Sequence, residues 1–83
     1  MARARLSESI QDYLKSVYKL QAREGRVSIG ALAKDQSVSP ASASAMVKKL
    51  TALDLLQHEP YRGAMLTESG ERVALEEIGR AHV

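Results

Sequence analysis

Residues 28–53, SIGALAKDQSVSPASASAMVKKLTAL, contain the signals of two helices that are separated by a tight turn. Ser28 is a suitable N-cap for the first of them, and a short segment ending at Val38 predicts the turn. Ser39 and Pro40 then supply an N-cap and a proline at the first helical position of the second helix. The second helix has an apolar stripe for burial: Ala43, Val47 and Leu50. The two helices are expected over about residues 28–35 and 39–53.

Further helices are predicted on both sides of this segment. A first helix over about residues 7–24 carries an apolar stripe and ends at Gly25. The stripe consists of Ile10, Tyr13, Leu14, Val17 and Leu20. A last helix over about residues 68–83 is capped by Thr67.

A hairpin over residues 55–66 separates the third and fourth helices. Residues 55–59 and 64–66 are predicted strands, and residues 60–63, Pro-Tyr-Arg-Gly, form the turn between them. Val27 is expected to form a further short strand. This order of elements is that of a winged helix-turn-helix, a mainly α fold with a small β-hairpin. We expect residues 1–83 to form one such domain.

Composition excludes several classes of protein. The chain has 83 residues and no Cys, so it has neither a disulfide framework nor a thiolate metal site. The basic residues near the start are not followed by an apolar stretch, so no secretory signal is predicted. No apolar run has the length of a membrane span. We therefore expect a soluble, cytoplasmic protein.

The charge is unevenly distributed along the chain. Residues 1–49 hold nine Lys and Arg against four Asp and Glu, a net charge of +5. Residues 50–83 hold three against six, a net charge of −3. This asymmetry favours one basic surface for a polyanion and a different, acidic surface elsewhere.

The third helix carries the side chains that a DNA-reading helix needs. Such a helix enters the major groove N-terminus first, so the exposed residues near its start must be small or polar. Three serines meet this demand and can donate to phosphates or base edges: Ser39, Ser42 and Ser44. Lys48 and Lys49 follow where they can reach the DNA backbone, and Arg62 at the hairpin tip can enter a minor groove or pair with phosphate.

Motifs of catalysis are absent from the sequence. It contains no glycine-rich phosphate loop, no nucleophile elbow and no zinc-protease helix, so we expect no enzyme. His58 lies alone in a predicted strand. Asp12 on the first helix and His82 near the end of the fourth could converge as metal ligands if those helices pack together.

Several segments resemble the diphtheria-toxin-repressor family, and more closely its manganese-transport-regulator branch. The similar segments are residues 11–20, QDYLKSVYKL; residues 39–50, SPASASAMVKKL; residues 61–63, YRG; and residues 66–70, LTESG. The resemblance covers nearly the whole chain. It implies a dimeric repressor, activated by manganese or iron(II), whose winged domain binds a palindromic double-stranded DNA operator.

The resemblance also implies roles for individual residues. Five would face bases: Ser39, Pro40, Ala41, Ser42 and Ala45. Lys48 and Lys49 would lie on or near the backbone, and Asp12 would be a metal ligand. Two positions depart from the pattern: Lys15 stands where the branch often has a second acid, and Ala81 stands where the family has a histidine, one residue before His82.

Alternative interpretations remain open at this point. The family's dimerisation helices have no counterpart in these residues, so we expect either part of a longer, homodimeric regulator or a reduced, metal-independent DNA-binding relative. A winged-helix module that binds protein is the other possibility, with the acidic second half as its surface.

Overall fold

The computed structural model describes the backbone of residues 8–81 and the side chains of residues 8–78. Its elements in chain order are α1 (Glu8–Glu24), α2 (Ile29–Gln36), α3 (Pro40–Ala52), β1 (Leu56–Glu59), β2 (Gly63–Leu66) and α4 (Glu68–Ala81). The predicted mainly α architecture with one small β-hairpin is confirmed. Residue 7, where the first helix is predicted to begin, lies outside the described residues. So do residues 82–83 at the predicted end of the last helix, which include His82. Within the described range, each helix is too short or too polar to span a lipid bilayer.

Side-chain caps begin both helices of the helix-turn-helix. The Ser28 hydroxyl accepts a hydrogen bond from the Ala31 N–H at 3.0 Å. Ser39 does the same for the Ser42 N–H at 3.1 Å, and proline occupies the first turn of α3. Between the helices, Ser37 takes a left-handed backbone conformation with φ 58°. These local interactions begin both helices and form the tight turn that joins α2 to α3.

The hydrophobic core lies between α1, the helix-turn-helix and the inner face of the hairpin. Its largest fully buried side chains are Leu14, Val17, Val27, Leu32, Leu50 and Leu56. Helix α1 contacts α2, β2 and α4, so one helix packs against the helix-turn-helix, the hairpin and the last helix. Among the described side chains of α4, Ala74 is buried in this core and the partly buried Val73 packs against it.

The hairpin is antiparallel, with Leu56 opposite Leu66 and Glu59 opposite Gly63. Val27 forms an isolated bridge to Ala64, with N···O distances of 2.9 and 2.7 Å. A Cβ at Gly63 would lie 2.7 Å from the Val27 carbonyl oxygen, and φ there is +99°. Only glycine therefore lets the segment before α2 close on the hairpin.

The Leu-Thr-x-x-Gly segment joins α4 to the hairpin. The Thr67 N–H donates to the Leu55 carbonyl at 3.1 Å, and its hydroxyl accepts from the Gly70 N–H at 3.0 Å. A Cβ at Gly70 would lie only 2.0 Å from the Leu55 oxygen. Threonine and glycine at this spacing thus allow α4 to begin in direct contact with the chain before β1.

Candidate nucleic-acid interface

The face of α3 that points away from the core is small and polar at its start and basic farther along. Ala43, Val47 and Leu50 point inward and are at most 2% exposed. The residues exposed on the other side are Ser39, Pro40, Ala41, Ser42, Ala45, Lys48 and Lys49. Because residues three and four apart share a helix face, these side chains form one surface.

The two serines at the start of α3 are not equivalent donors. The Ser39 hydroxyl donates to Ser42 Oγ at 3.1 Å while it accepts from the Ser42 N–H. A serine hydroxyl has one proton, so that of Ser39 is used within the cap. The Ser42 hydroxyl is exposed, and its own proton is not used in this pair. The geometry therefore favours Ser42 over Ser39 as the donor to DNA.

Ser44 lies at the edge of this surface. It is half-buried, whereas the neighbouring Ala45 is exposed. One residue on an α-helix corresponds to a rotation of about 100°, which carries the Ser44 side chain away from the centre of the exposed face. The centre is formed by the methyl groups of Ala41 and Ala45, which let the helix backbone approach a groove closely.

Arg62 extends from the turn between β1 and β2. Its side chain is 68% exposed, and its Nη1 lies 3.5 Å from Glu59 Oε1. The backbone N–H of Arg62 donates to the Glu59 carbonyl at 3.1 Å, which closes the turn. The exposed cation is thus held at the tip of the hairpin.

Two residues near this tip were given no individual role by the sequence. Tyr61 is fully exposed and has a φ of 68°, which is unusual for a bulky side chain. Arg26, just before the Val27 bridge, places its Nη1 3.3 Å from Glu59 Oε1. Strand alternation around the buried Val27 would have directed Arg26 outward, but its contact with Glu59 is invisible in the sequence.

Two polar contacts that the sequence does not reveal connect α1 to α2 and to the hairpin. Buried Ser16 donates to the Asp35 carboxylate and accepts from Gln36 Nε2 at 2.5 Å, which ties α1 to the end of α2. Gln21 Oε1 accepts from the Leu66 N–H at 2.9 Å, which ties α1 to β2. These contacts attach both the helix-turn-helix and the hairpin to α1.

The described residues do not fit a manganese or iron(II) site. Asp12 is half-exposed and its carboxylate lies 3.6 Å from Lys15 Nζ, so a cation is already its neighbour. Residues 8–78 contain no group of three His, Cys, Asp or Glu side chains that could hold a metal ion. His82, the other predicted ligand, lies outside the described residues. One ion-paired carboxylate is too few donors for a divalent transition metal.

Comparison with known proteins gives a consistent result. Residues 5–64 match the family model described as "Iron dependent repressor, N-terminal DNA binding domain". The HTH-type transcriptional regulator MntR of Shouchella clausii (strain KSM-K16) is 37% identical over 65 residues, which are 78% of this chain and 46% of that protein. The chain thus spans about half the length of the curated relatives it matches.

Solved structures show the same fold. The manganese regulator SloR is 36% identical with a TM-score of 0.68, over 83% of this chain and 32% of that one. IdeR of T. acidophilum has a TM-score of 0.74 at 24% identity, over 87% of this chain and 33% of that one, a likeness of fold alone. The predicted winged helix-turn-helix is confirmed.

Proposed function

Because the chain belongs to the iron-dependent repressor family through its N-terminal DNA-binding domain, we propose that it is the DNA-binding part of a metal-responsive transcriptional repressor. The observation that carries this proposal is the exposed face of α3, which is small and polar at its start and basic at Lys48 and Lys49. The name of the 36% identical manganese regulator supports manganese as the metal, and that of the family supports iron(II).

In this proposal α3 enters the major groove with its N-terminus first. The methyl groups of Ala41 and Ala45 admit the helix, and Ser42 donates to a base edge or a phosphate. Lys48 and Lys49 contact the DNA backbone, and Arg62 reaches a minor groove or a phosphate from the wing. The remaining proposed contacts at the start of α3 are Ser39, Pro40 and, at the rim, Ser44.

The complete regulator is proposed to act as a homodimer in the cytoplasm. Two winged domains would bind half-sites about one helical turn apart, about 34–36 Å, on a palindromic operator. A response to metal requires more ligands than Asp12, the one described side chain at a position where the family places a ligand. We therefore assign the metal response to the repressor as a whole and the DNA contacts to this domain.

Fluorescence anisotropy with a labelled duplex at several salt concentrations tests DNA binding. A preferred duplex is first selected from a random pool, and a scrambled duplex of equal length serves as the comparison. Neutralising three or four phosphates gives a slope of log affinity against log salt of roughly −3. Binding that ignores salt would contradict the proposal and favour a module that binds protein.

Substitutions on α3 distinguish residues that contact the DNA backbone from residues that recognise its sequence. Lys48→Ala should weaken binding to both duplexes alike, because a phosphate contact carries no sequence information. Ser42→Ala should weaken mainly the selected duplex, by about 1 kcal/mol. Glu76→Ala, on the exposed side of α4, is the control and should leave affinity almost unchanged. A silent Ser42→Ala together with a damaging Glu76→Ala would show that another face binds DNA.

A further inference from the structure

Two arginines from different segments share one carboxylate oxygen near the tip of the wing. Arg26 Nη1 lies 3.3 Å and Arg62 Nη1 lies 3.5 Å from Glu59 Oε1. Because both distances end on the same atom, the two nitrogens cannot be farther apart than the sum of these distances. Neighbouring phosphates of a DNA strand follow one another about every 3.4 Å along the helix axis, so two guanidinium groups this close together can contact neighbouring phosphates, one each.

The backbone holds this arrangement in place. Val27 is buried and paired with Ala64, so the alternation of side chains directs Arg26 to the outer face of the hairpin. Glu59 lies opposite Gly63, which has no side chain to separate the carboxylate from Arg26. The turn hydrogen bond from the Arg62 N–H to the Glu59 carbonyl keeps the second arginine nearby.

The carboxylate attracts both arginines but binds neither tightly. Within the described part of the chain, Glu59 Oε1 is buried and accepts no hydrogen bond, although both guanidinium groups are at ion-pair distance. The arginine side chains are 36% and 68% exposed, so each ion pair is screened by water and is weak. A phosphate offers a guanidinium two parallel hydrogen bonds, which this carboxylate oxygen does not.

We propose that Arg26 is a second arginine of the wing that contacts the DNA backbone, and that Glu59 competes with DNA for both arginines. In the free protein Glu59 holds the two guanidinium groups and lowers the local positive potential. On binding, phosphates replace the carboxylate as their partner. This inference rests on the proposed function.

Glu59→Gln in the full chain tests the competition. The amide keeps the size of the side chain and removes its charge, so binding to the selected duplex should tighten two- to tenfold, as expected when one or two weak ion pairs are released. The gain should shrink as salt is raised. Glu76→Gln changes the net charge equally on α4 and should alter affinity less than twofold. Circular dichroism checks that each variant is folded.

Arg26→Ala tests the second contact. It should weaken binding to selected and scrambled duplexes alike and reduce the magnitude of the salt slope by about 1. In the Arg26→Ala/Arg62→Ala background, Glu59→Gln should no longer tighten binding. Weaker or unchanged binding by Glu59→Gln, or an unchanged slope in Arg26→Ala, overturns the inference. If Lys48→Ala still weakens binding in that case, the proposed function stands; if the wild type binds no duplex, both fail.

Discussion

Among the described residues of the wing, Tyr61 has the backbone conformation that is least favourable for its residue type. It is fully exposed, so its ring gains nothing from burial in the core, and its φ of 68° lies in the left-handed region. That region brings Cβ close to the following carbonyl oxygen; glycine has no Cβ, and asparagine and aspartate offset the cost with local side-chain hydrogen bonds. Gly63, two residues farther along the same turn, also has a positive φ, so the tight turn imposes this geometry on Tyr61.

Tyr61→Asn is expected to stabilise the domain. Asparagine tolerates the left-handed conformation, so the free energy of unfolding should rise by about 1 kcal/mol. A thermal melt should then show a Tm about 4–8 °C higher. Tyr61→Phe is the matched control, because it keeps the same backbone cost and should melt like the wild type. A lower Tm for Tyr61→Asn would mean that the ring makes a stabilising contact.

At the scale of elements, the join between α4 and the hairpin depends on close backbone contact. Gly70 lies in the first turn of α4, where a Cβ would lie 2.0 Å from the Leu55 carbonyl oxygen. Thr67 reinforces this join by donating its hydroxyl to the Asp54 carbonyl at 2.7 Å. Helix α4 therefore cannot accept a side chain here without moving away from β1.

Gly70→Ala is expected to destabilise the protein by about 1–3 kcal/mol, in the range of overpacking substitutions. Gly30→Ala is the control, because that helical glycine has no atom within 4 Å of an added Cβ. Alanine is a better helix former than glycine, so the control should be neutral or more stable. Urea unfolding measures both variants. If Gly70→Ala has the same free energy of unfolding as the wild type, α4 moves to admit the methyl group without losing stability.

At the scale of the whole molecule, the described residues supply the contacts proposed for DNA but not a set of metal ligands. The exposed face of α3 and the wing arginines form a complete set of DNA contacts in the proposal. The described side chains give no such set for a metal: Asp12 is paired with Lys15, and no group of three His, Cys, Asp or Glu side chains among them could hold an ion.

The 83 residues alone are therefore expected to bind manganese weakly, with a dissociation constant on the order of millimolar. Calorimetry with manganese measures this affinity directly, and a thermal melt at sub-millimolar metal should match the metal-free melt. Asp12→Asn, which removes the predicted ligand that lies among the described residues, should leave the melt with and without metal unchanged. Micromolar affinity would mean that His82, His58 or a partner chain completes a site.

Much of the architecture follows from short-range signals in the sequence. The apolar stripe of α1, the Ser-Pro start of α3 and the turn before Gly63 predict helices and a hairpin, because caps, helical periodicity and turn chemistry act over a few residues. The same signals identify the exposed side of α3, since burying Ala43 and Val47 leaves Ala41 and Ala45 outside.

Contacts between distant segments depend on the tertiary fold. Nothing in the sequence pairs Arg26 with Glu59, or Gln21 with the Leu66 N–H, because these partners meet only after the hairpin has docked on α1. The assignment of the free hydroxyl proton to Ser42 likewise needs the cap geometry of Ser39. Local sequence sets which residues can be exposed, whereas the folded chain sets which charges and donors are still available to a ligand.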